Sequence, residues 1–238
     1  EGLGDMLARL LRTGGTERIP PDTLDMLLDL FAIRASFTLT DAHLEFSATM
    51  LSEYRDTALA LLGQMLFEPA FAQERFEKER DVFLERIRHR FDNPGPLTAA
   101  AHRKAMYAGA PNSRLATAAS VSRLERDDIV GLHARIFRRD AMIVGAAGDL
   151  REDAMLAAID SIFPDSAGDD AGAVSFPAAA FRRPQRALVV HKPISQAYVR
   201  MSLPMFARPH PDYYPCSVLN YILGGGSFGT ALATILAN

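Results

Sequence analysis

Apolar residues recur along much of this chain at intervals of three and four residues, a spacing typical of amphipathic helices. In the first stretch, leucines and a methionine repeat in this way until Gly14 and Gly15 end the pattern. Pro20, Pro21 and Asp22 then supply residue types that begin helices. The spacing predicts helices over residues 3–11, 20–31, 53–66, 73–91, 97–107, 126–137, 153–163 and 213–223. For the helix over 126–137 it predicts a cap at Asp127 or Ser122.

Two segments follow a different period, with apolar and polar residues alternating as they do in half-buried strands. They span residues 35–40 and 44–50 and are separated by Asp41, so they predict a β-hairpin. Shorter apolar runs predict further strands over residues 142–146, 187–190 and 197–203. Gly224, Gly225 and Gly226 predict a flexible break before another apolar helix that ends at Asn238.

The order of these elements predicts an α+β chain of more than one unit. Residues 164–184 contain three prolines and many small or polar residues without a sustained period, which is typical of a linker. We therefore predict a first unit over residues 1–163, a linker over 164–184 and the start of a second unit over 185–238. Since residue 1 leads directly into a helix without a cap before it, we expect the first unit to be truncated at its start, and we expect the second unit to be truncated as well.

Composition excludes several classes of function. No apolar run approaches the roughly 20 residues that cross a bilayer, so the sequence predicts no membrane span. The 26 basic residues are mixed with 29 acidic ones and the net charge is −3, so a nucleic-acid partner is not expected. The single cysteine, Cys216, excludes an internal disulfide and a thiolate metal cage.

Several short motifs, taken in order, resemble one family of enzymes. They are Gly2-Leu3-Gly4 leading to Gly15-Thr16, Phe37-Thr38-Leu39-Thr40-Asp41, the run from Glu79 to Arg88 with Asp92-Asn93-Pro94, and His210-Pro211-Asp212-Tyr213 leading to Leu223-Gly224-Gly225-Gly226. Together they resemble the inverted-motif zinc peptidases that include pitrilysin, insulin-degrading enzyme and the mitochondrial processing peptidase. The resemblance implies two similar α/β sandwich units, the LuxS-like metallopeptidase half-domains, of which the first lacks its initial strands and the second is truncated.

Catalysis in that family requires a helix bearing H-x-x-E-H, whose histidines bind zinc while the Glu activates water. The resemblance places Asp5 and Arg9 at the two histidine positions and Ala8 at the position of the general base. It places Arg86 at the position of the third zinc ligand and Glu79 at the position of an auxiliary acid. These five are vacated zinc-site positions, so we expect no catalytic residue, no bound metal and no cofactor, although zinc is the family's cofactor.

The Gly14-Gly15-Thr16 segment is one residue longer than usual for the family, and a slip of one residue would put Glu85 at the ligand position instead of Arg86. None of the six histidines forms an H-x-x-x-H pair. Glu85 and His89 are spaced to bind a metal, but a contact along one helix face explains the same spacing. For the vacated positions two interpretations stay open: an ion-pair cluster of Arg9 and Arg86 with Asp5 and Glu79, or four solvent-facing residues.

The resemblance also implies a way of holding substrate, as a strand added to the edge of the hairpin. The matching edge is Ala35-Ser36-Phe37, where Ala35-Ser36 replaces the family's usual Asn-Ala. An ordinary sheet edge is the alternative. The glycines at 224 to 226 lack the Gly-Lys-Ser/Thr ending of a P-loop, so a turn that ends a helix is expected there and not a phosphate site.

These observations lead to a functional hypothesis and two alternatives. The hypothesis is a non-catalytic, peptidase-like subunit that pairs with a homologous zinc-bearing subunit as a heterodimer and helps enclose an extended polypeptide. One alternative is a metalloendopeptidase with an unorthodox site built from Glu79, Glu85, His89 or Asp5. The other is a stand-alone peptide-binding or assembly module. The resemblance to envelope-associated bacterial proteins implies the periplasm, with the cytoplasm as the alternative.

Overall fold

The computed structural model describes residues 1–40, 43–107, 110–163, 188–202, 206 and 208–225. The chain divides into two compact units, Glu1–Gln196 and Ala197–Asn238. The predicted linker over 164–184, the turn at Asp41, Gly226 and the helix expected to end at Asn238 lie outside the described residues. The division of the chain at that linker therefore stays a prediction.

The first unit is built mainly of helices around one hairpin. Its helices are α1 (Leu3–Thr13), α2 (Pro21–Leu30), α3 (Arg55–Phe67), α4 (Gln73–His89), α5 (Pro94–Met106), α6 (Ala118–Val121), α7 (Arg126–Ile136) and α8 (Glu152–Ile162). The strands are β1 (Arg34–Leu39) and β2 (Leu44–Thr49), which pair antiparallel. Of the second unit, the structure describes α9 (Tyr213–Asn220) and a π-helical turn over Tyr221–Gly225. Among the described residues, no helix is both long and apolar enough to cross a membrane.

Two groups of buried side chains form the core of the first unit. One lies where α1, α4, α6 and α7 meet; its fully buried members are Met6, Leu7, Leu10, Leu11, Phe76, Val121 and Ile129. The other joins α2, α3 and the hairpin through Leu24, Leu28, Ile33, Ala58, Leu61, Leu62 and Met65. Phe37 packs against both groups, so β1 connects the two halves of the core.

The connection from α1 to α2 depends on a glycine. Gly15 has a φ of 74°, and a Cβ at this position would lie 2.8 Å from the carbonyl oxygen of Ile19 and from the nitrogen of Pro21. Only glycine adopts this backbone without strain. Beyond it, Thr16 forms an isolated bridge with Pro69. Gly15 therefore lets the chain turn so that Thr16 meets Pro69, two residues after the end of α3.

The hairpin follows the alternation seen in the sequence. Ala35, Phe37 and Leu39 of β1 lie opposite Ala48, Phe46 and Leu44 of β2, and the Phe37 and Phe46 rings are 4.8 Å apart. The residues between them are exposed. One face of this two-stranded sheet therefore packs on the core while the other faces solvent.

Several sequence predictions differ from the structure. Residues 142–146, 188–190 and 197–202 form no strand, because a strand must pair its backbone with a neighbour and the described residues place none beside them. Residues 187 and 203 of the predicted ranges lie outside the described part. The cap of α7 is Glu125, in a capping box with Asp128, and neither Asp127 nor Ser122. The sequence favoured Asp and Ser because they are common caps, whereas Glu rarely fills this position.

Candidate functional site

The first three vacated positions lie on α1, the helix with the most completely buried apolar face. Asp5, Ala8 and Arg9 are three and four residues apart, so they share one face of the helix. The buried apolar residues of α1 fix its rotation. With that rotation, Asp5 is exposed, Ala8 is buried and Arg9 is half-buried.

The other two positions lie on α4, which packs against α1. Glu79 is buried and Arg86, two turns later, is exposed. Phe83 lies between them and belongs to the core group at α1. The five positions that the resemblance singles out are therefore carried by two helices in contact.

Glu79 is neutralised by partners other than Arg9 and Arg86. The Thr13 hydroxyl is 3.0 Å from Oε1 of Glu79, and Nε of Arg75 is 3.7 Å from the same oxygen. Arg75 precedes Glu79 by four residues on α4, so their helical spacing favours the pair. Nine per cent of Glu79 is exposed, so these contacts hold a carboxylate that water scarcely reaches.

Arg9 turns its guanidinium toward an aromatic ring. Its Cζ lies 4.8 Å from the centroid of Phe83, within the range of a cation–π contact. Burial and the charge of Arg86 lower the pKa of Arg9, against the opposing effects of Glu79 and Asp5. Among the described residues, neither arginine forms an ion pair with either acid. The predicted ion-pair cluster is therefore wrong, because Arg9 contacts the ring of Phe83 while Arg75 and Thr13 contact Glu79. The alternative of four solvent-facing residues is also wrong, because Glu79 is buried and Arg9 is half-buried.

This set of side chains does not fit zinc. A zinc site needs about four nitrogen, sulfur or oxygen ligands, and two of the vacated positions carry guanidinium groups, which have no lone pair to give and repel a dication. Within the described residues, no three His, Cys, Asp or Glu side chains are grouped so as to hold a metal.

The alternative metal pair on α4 is a helix-face contact. His89 Nε2 is 2.8 Å from Oε1 of Glu85, and Nδ1 is 2.6 Å from Oδ2 of Asp92. The hydrogen bond with Asp92, followed by that with Glu85, raises the pKa of His89. Both ring nitrogens are thus engaged with carboxylates at the protein surface, which stabilises the imidazolium form.

The proposed peptide edge lies on β1. Ala35 and Phe37 are half-buried on the core side, while Ser36 is exposed opposite Ser47. The described sheet contains β1 and β2 alone, so within the described residues the outer edge of β1 has no paired strand.

The glycine-rich turn belongs to the second unit. Gly224 and Gly225 close the π-helical turn that follows α9, where a flexible break was predicted. The described residues of this turn, Tyr221–Gly225, include no basic side chain.

Sequence reasoning missed the residues that decide the electrostatics of the vacated positions. Thr13 reaches Glu79 from 66 positions away, so no local pattern identifies the contact. Arg75 was detectable, since it stands four residues before Glu79 on a predicted helix. Phe83 is an apolar residue of the helix predicted over 73–91, but its contact with Arg9 depends on how α1 packs against α4.

Comparison with family models assigns both parts of the chain to one family. The model described as "Insulinase (Peptidase family M16)" matches residues 1–118. The model described as "Peptidase M16 inactive domain" matches residues 123–237.

Curated relatives include proteins named as peptidases and one named as a non-peptidase. The "Non-peptidase homolog YmxG" of Helicobacter pylori is 24% identical over 234 residues, which is 97% of this chain and 53% of that protein. An "Uncharacterized zinc protease" of Mycobacterium bovis is 27% identical over 195 residues, covering 77% of this chain and 43% of its own length. The chain thus spans about half the length of these relatives.

Solved structures share the fold. A structure titled as the peptidase M16 inactive domain from Pseudomonas fluorescens superposes with a TM-score of 0.69 at 17% identity, covering 96% of this chain and 56% of that one. A structure titled as a protease from Helicobacter pylori gives a TM-score of 0.66 at 18% identity, covering 76% and 45%. The resemblance drawn from the sequence motifs is confirmed: the chain belongs to peptidase family M16, the insulinase family.

Proposed function

We propose that this chain is a non-catalytic, peptidase-like subunit that pairs with a homologous zinc-bearing M16 subunit and helps enclose an extended polypeptide. One observation carries the proposal. The helices α1 and α4 pack together over a buried core, and the resemblance places Asp5, Ala8 and Arg9 of α1 where the family needs H-x-x-E-H. The proposal is that the family's framework is retained here without its metal ligands.

The chemistry of these positions argues against peptide hydrolysis. A zinc peptidase needs a Lewis acid to polarise the carbonyl and a base to take a proton from the attacking water. The methyl group of Ala8 accepts no proton, and the positive charge of Arg9 and Arg86 opposes a dication. Nothing among the described residues favours an unorthodox metallopeptidase site built from Glu79, Glu85, His89 or Asp5.

The names of the relatives support the same proposal. The relatives of this chain include the Helicobacter pylori protein named a non-peptidase homolog as well as mycobacterial proteins named zinc proteases. The name of the Helicobacter pylori protein says that it is not a peptidase. We expect a chain without H-x-x-E-H to lack peptidase activity in the same way. In a pair with a zinc-bearing homologue, this chain would bind the polypeptide and the homologue would cleave it.

The backbone of β1 supports the polypeptide part of the proposal. The Thr40 N–H donates to the carbonyl of His43 at 2.9 Å, which makes this pair a hydrogen-bonded one. Pairs alternate along an antiparallel ladder, so the pair of Ala35 with Ala48 and that of Phe37 with Phe46 are non-hydrogen-bonded. The main-chain groups of Ala35 and Phe37 therefore point away from β2, toward the edge where a peptide strand would add.

The test is purification of the full-length protein from its native source, followed by identification of any associated chain that bears H-x-x-E-H. The pair is then reconstituted from purified chains, and zinc content and cleavage of an unstructured peptide are measured for each chain and for the pair. We expect about one zinc per pair, held by the partner, and chelator-sensitive cleavage that the present chain alone does not perform.

Two outcomes would contradict the proposal. Stoichiometric zinc with chelator-sensitive cleavage by this chain alone would favour the metalloendopeptidase alternative. Recovery of the chain without any H-x-x-E-H partner, together with peptide binding by the isolated protein, would favour the stand-alone module.

A further inference from the structure

Two arginines lie near the contact of α1 and α4. The Arg9 guanidinium lies over the ring of Phe83, and Arg86 follows Phe83 by three residues on α4, so Phe83 and Arg86 share one side of that helix. Besides burial, the charge of Arg86 acts on Arg9 and lowers its pKa. Arg9 is half-buried, whereas Arg86 is exposed to solvent.

Neither guanidinium is neutralised by the acids nearby. Glu79 is held by Thr13 and Arg75, and Asp5 is exposed one turn before Arg9. The charge of Arg86 lowers the pKa of Arg9 more than the charge of either Glu79 or Asp5 raises it. Among the described residues neither Arg9 nor Arg86 forms an ion pair, so an anion placed between them would be attracted by both.

We propose that Arg9 and Arg86 form a binding site for a carboxylate side chain of the polypeptide that this subunit holds, in the place where the family's catalytic members bind zinc. The inference rests on the proposed function and adds a substrate class, segments bearing Asp or Glu. A guanidinium matches a carboxylate because its planar fork donates two parallel hydrogen bonds, and partial burial strengthens such charge-assisted bonds.

The position of the site relative to β1 favours a polypeptide carboxylate over a free anion. Phe37, whose main chain faces the outer edge of β1, packs against the core group that contains Phe83. The helix α1 packs against both β1 and α4. A peptide strand on β1 and a carboxylate between the two arginines would therefore be held by parts of the same packed unit.

The probes are unstructured ten-residue peptides with capped ends and no charge except at one central position, which is Glu in one and Gln in the other. A third peptide carries Gln and a free C-terminal carboxylate. Binding to the full-length protein is measured by fluorescence polarisation. We expect the Glu peptide to bind about tenfold more tightly than the capped Gln peptide, and added salt to reduce this preference. A preference for the third peptide would identify a chain-end carboxylate as the source.

Variants assign the preference to the two arginines. Arg86→Gln and Arg9→Met should each abolish the tighter binding of the Glu peptide. Arg9→Met keeps an unbranched side chain that can still pack on Phe83. The matched control is Arg88→Gln, since Arg88 is an exposed arginine of the same helix that pairs with Glu85 at 2.7 Å. It should keep the full preference. Because Arg86 is exposed, Arg86→Gln alone decides the test if Arg9→Met fails to fold.

The outcomes separate this inference from the function on which it rests. Equal binding of the Glu and capped Gln peptides would overturn the carboxylate site and leave polypeptide binding intact, as would an equal loss in Arg86→Gln and Arg88→Gln. If no peptide binds, the proposed polypeptide binding is contradicted. The carboxylate site is then tested separately, by following the NMR signals of the arginine Nε–H groups while sodium acetate is added. Shifts at Arg9 and Arg86 would support it, and their absence would overturn it.

Discussion

The hydroxyl of Thr13 lies 3.0 Å from Oε1 of Glu79 and 3.0 Å from the carbonyl oxygen of Arg9, so its single proton serves two acceptors. This links the end of α1 to the middle of α4. Arg75 approaches the same carboxylate at 3.7 Å, and its Nε is buried without a hydrogen-bond partner among the described residues. Among the described residues, Glu79 is therefore the only acidic side chain that contacts Thr13 and Arg75.

Replacing that carboxylate should weaken the fold. In Glu79→Gln the side-chain shape is kept, but Arg75 loses its counter-charge, so we expect the free energy of unfolding to fall by about 1–2 kcal/mol. Asp81→Asn removes an exposed acid from the same helix and should change stability by less than about 0.5 kcal/mol. Urea denaturation measures both. A Glu79→Gln variant as stable as the parent would mean that this pair contributes nothing to the fold.

A half-buried histidine should make stability depend on pH. His133 on α7 donates from Nε2 to the carbonyl of Leu66 at 2.7 Å and stacks on Phe137, and burial lowers its pKa below the ordinary 6.5. The unfolded chain therefore binds the proton more tightly than the folded one. Stability contributed by neutral His133 is present above pH 6.5 and is lost as the pH falls below that value.

The variant His133→Gln keeps a donor but does not titrate. Its loss of stability relative to the parent should therefore shrink as the pH is lowered from 7.5 to 5, as measured by urea denaturation at each pH. His191→Gln, which removes an exposed histidine, is measured beside it as the control variant. A constant difference for His133→Gln would show that His133 does not titrate in this range.

The positions assigned to the vacated zinc site can be tested by restoring the ligands. The quadruple variant D5H/A8E/R9H/R86E should bind one zinc, because it returns two imidazoles and a carboxylate to α1 and α4. The triple variant without R86E should bind zinc at least about 100-fold more weakly, since it lacks the third ligand. If Glu85 holds the ligand position instead, the triple variant would bind as well as the quadruple one. Equilibrium dialysis with metal analysis distinguishes the two registers.

The sequence predicted local structure better than contacts between distant residues. The helices and the hairpin follow from side-chain periodicity, and the family follows from short motifs in order. The predicted strand over 142–146 was wrong because an apolar run of that length does not indicate whether a pairing strand lies beside it. For the same reason the ion-pair cluster was wrong: charge complementarity suggested it, but the packing of α1 on α4 brought Arg9 to Phe83 and Thr13 to Glu79.

The edge of β1 offers the most direct test of polypeptide binding. Ala35 points its N–H away from β2, so Ala35→Pro removes an outward donor without breaking a bond of the hairpin. Binding of an unstructured peptide should weaken about two- to tenfold, the equivalent of one net hydrogen bond. Ala48→Pro is the matched control, because Ala48 lies directly opposite on β2 and its N–H points to the other edge.

A second probe tests the pairing from the peptide's side. A peptide N-methylated at alternate residues can pair with β1 in only one of the two phases, since one set of its N–H groups is blocked. One methylated phase should therefore lose binding to the parent protein while the other keeps it. An equal loss in Ala35→Pro and Ala48→Pro, or equal binding of both methylated phases, would exclude strand addition at β1, because main-chain pairing at one edge is sensitive to both changes.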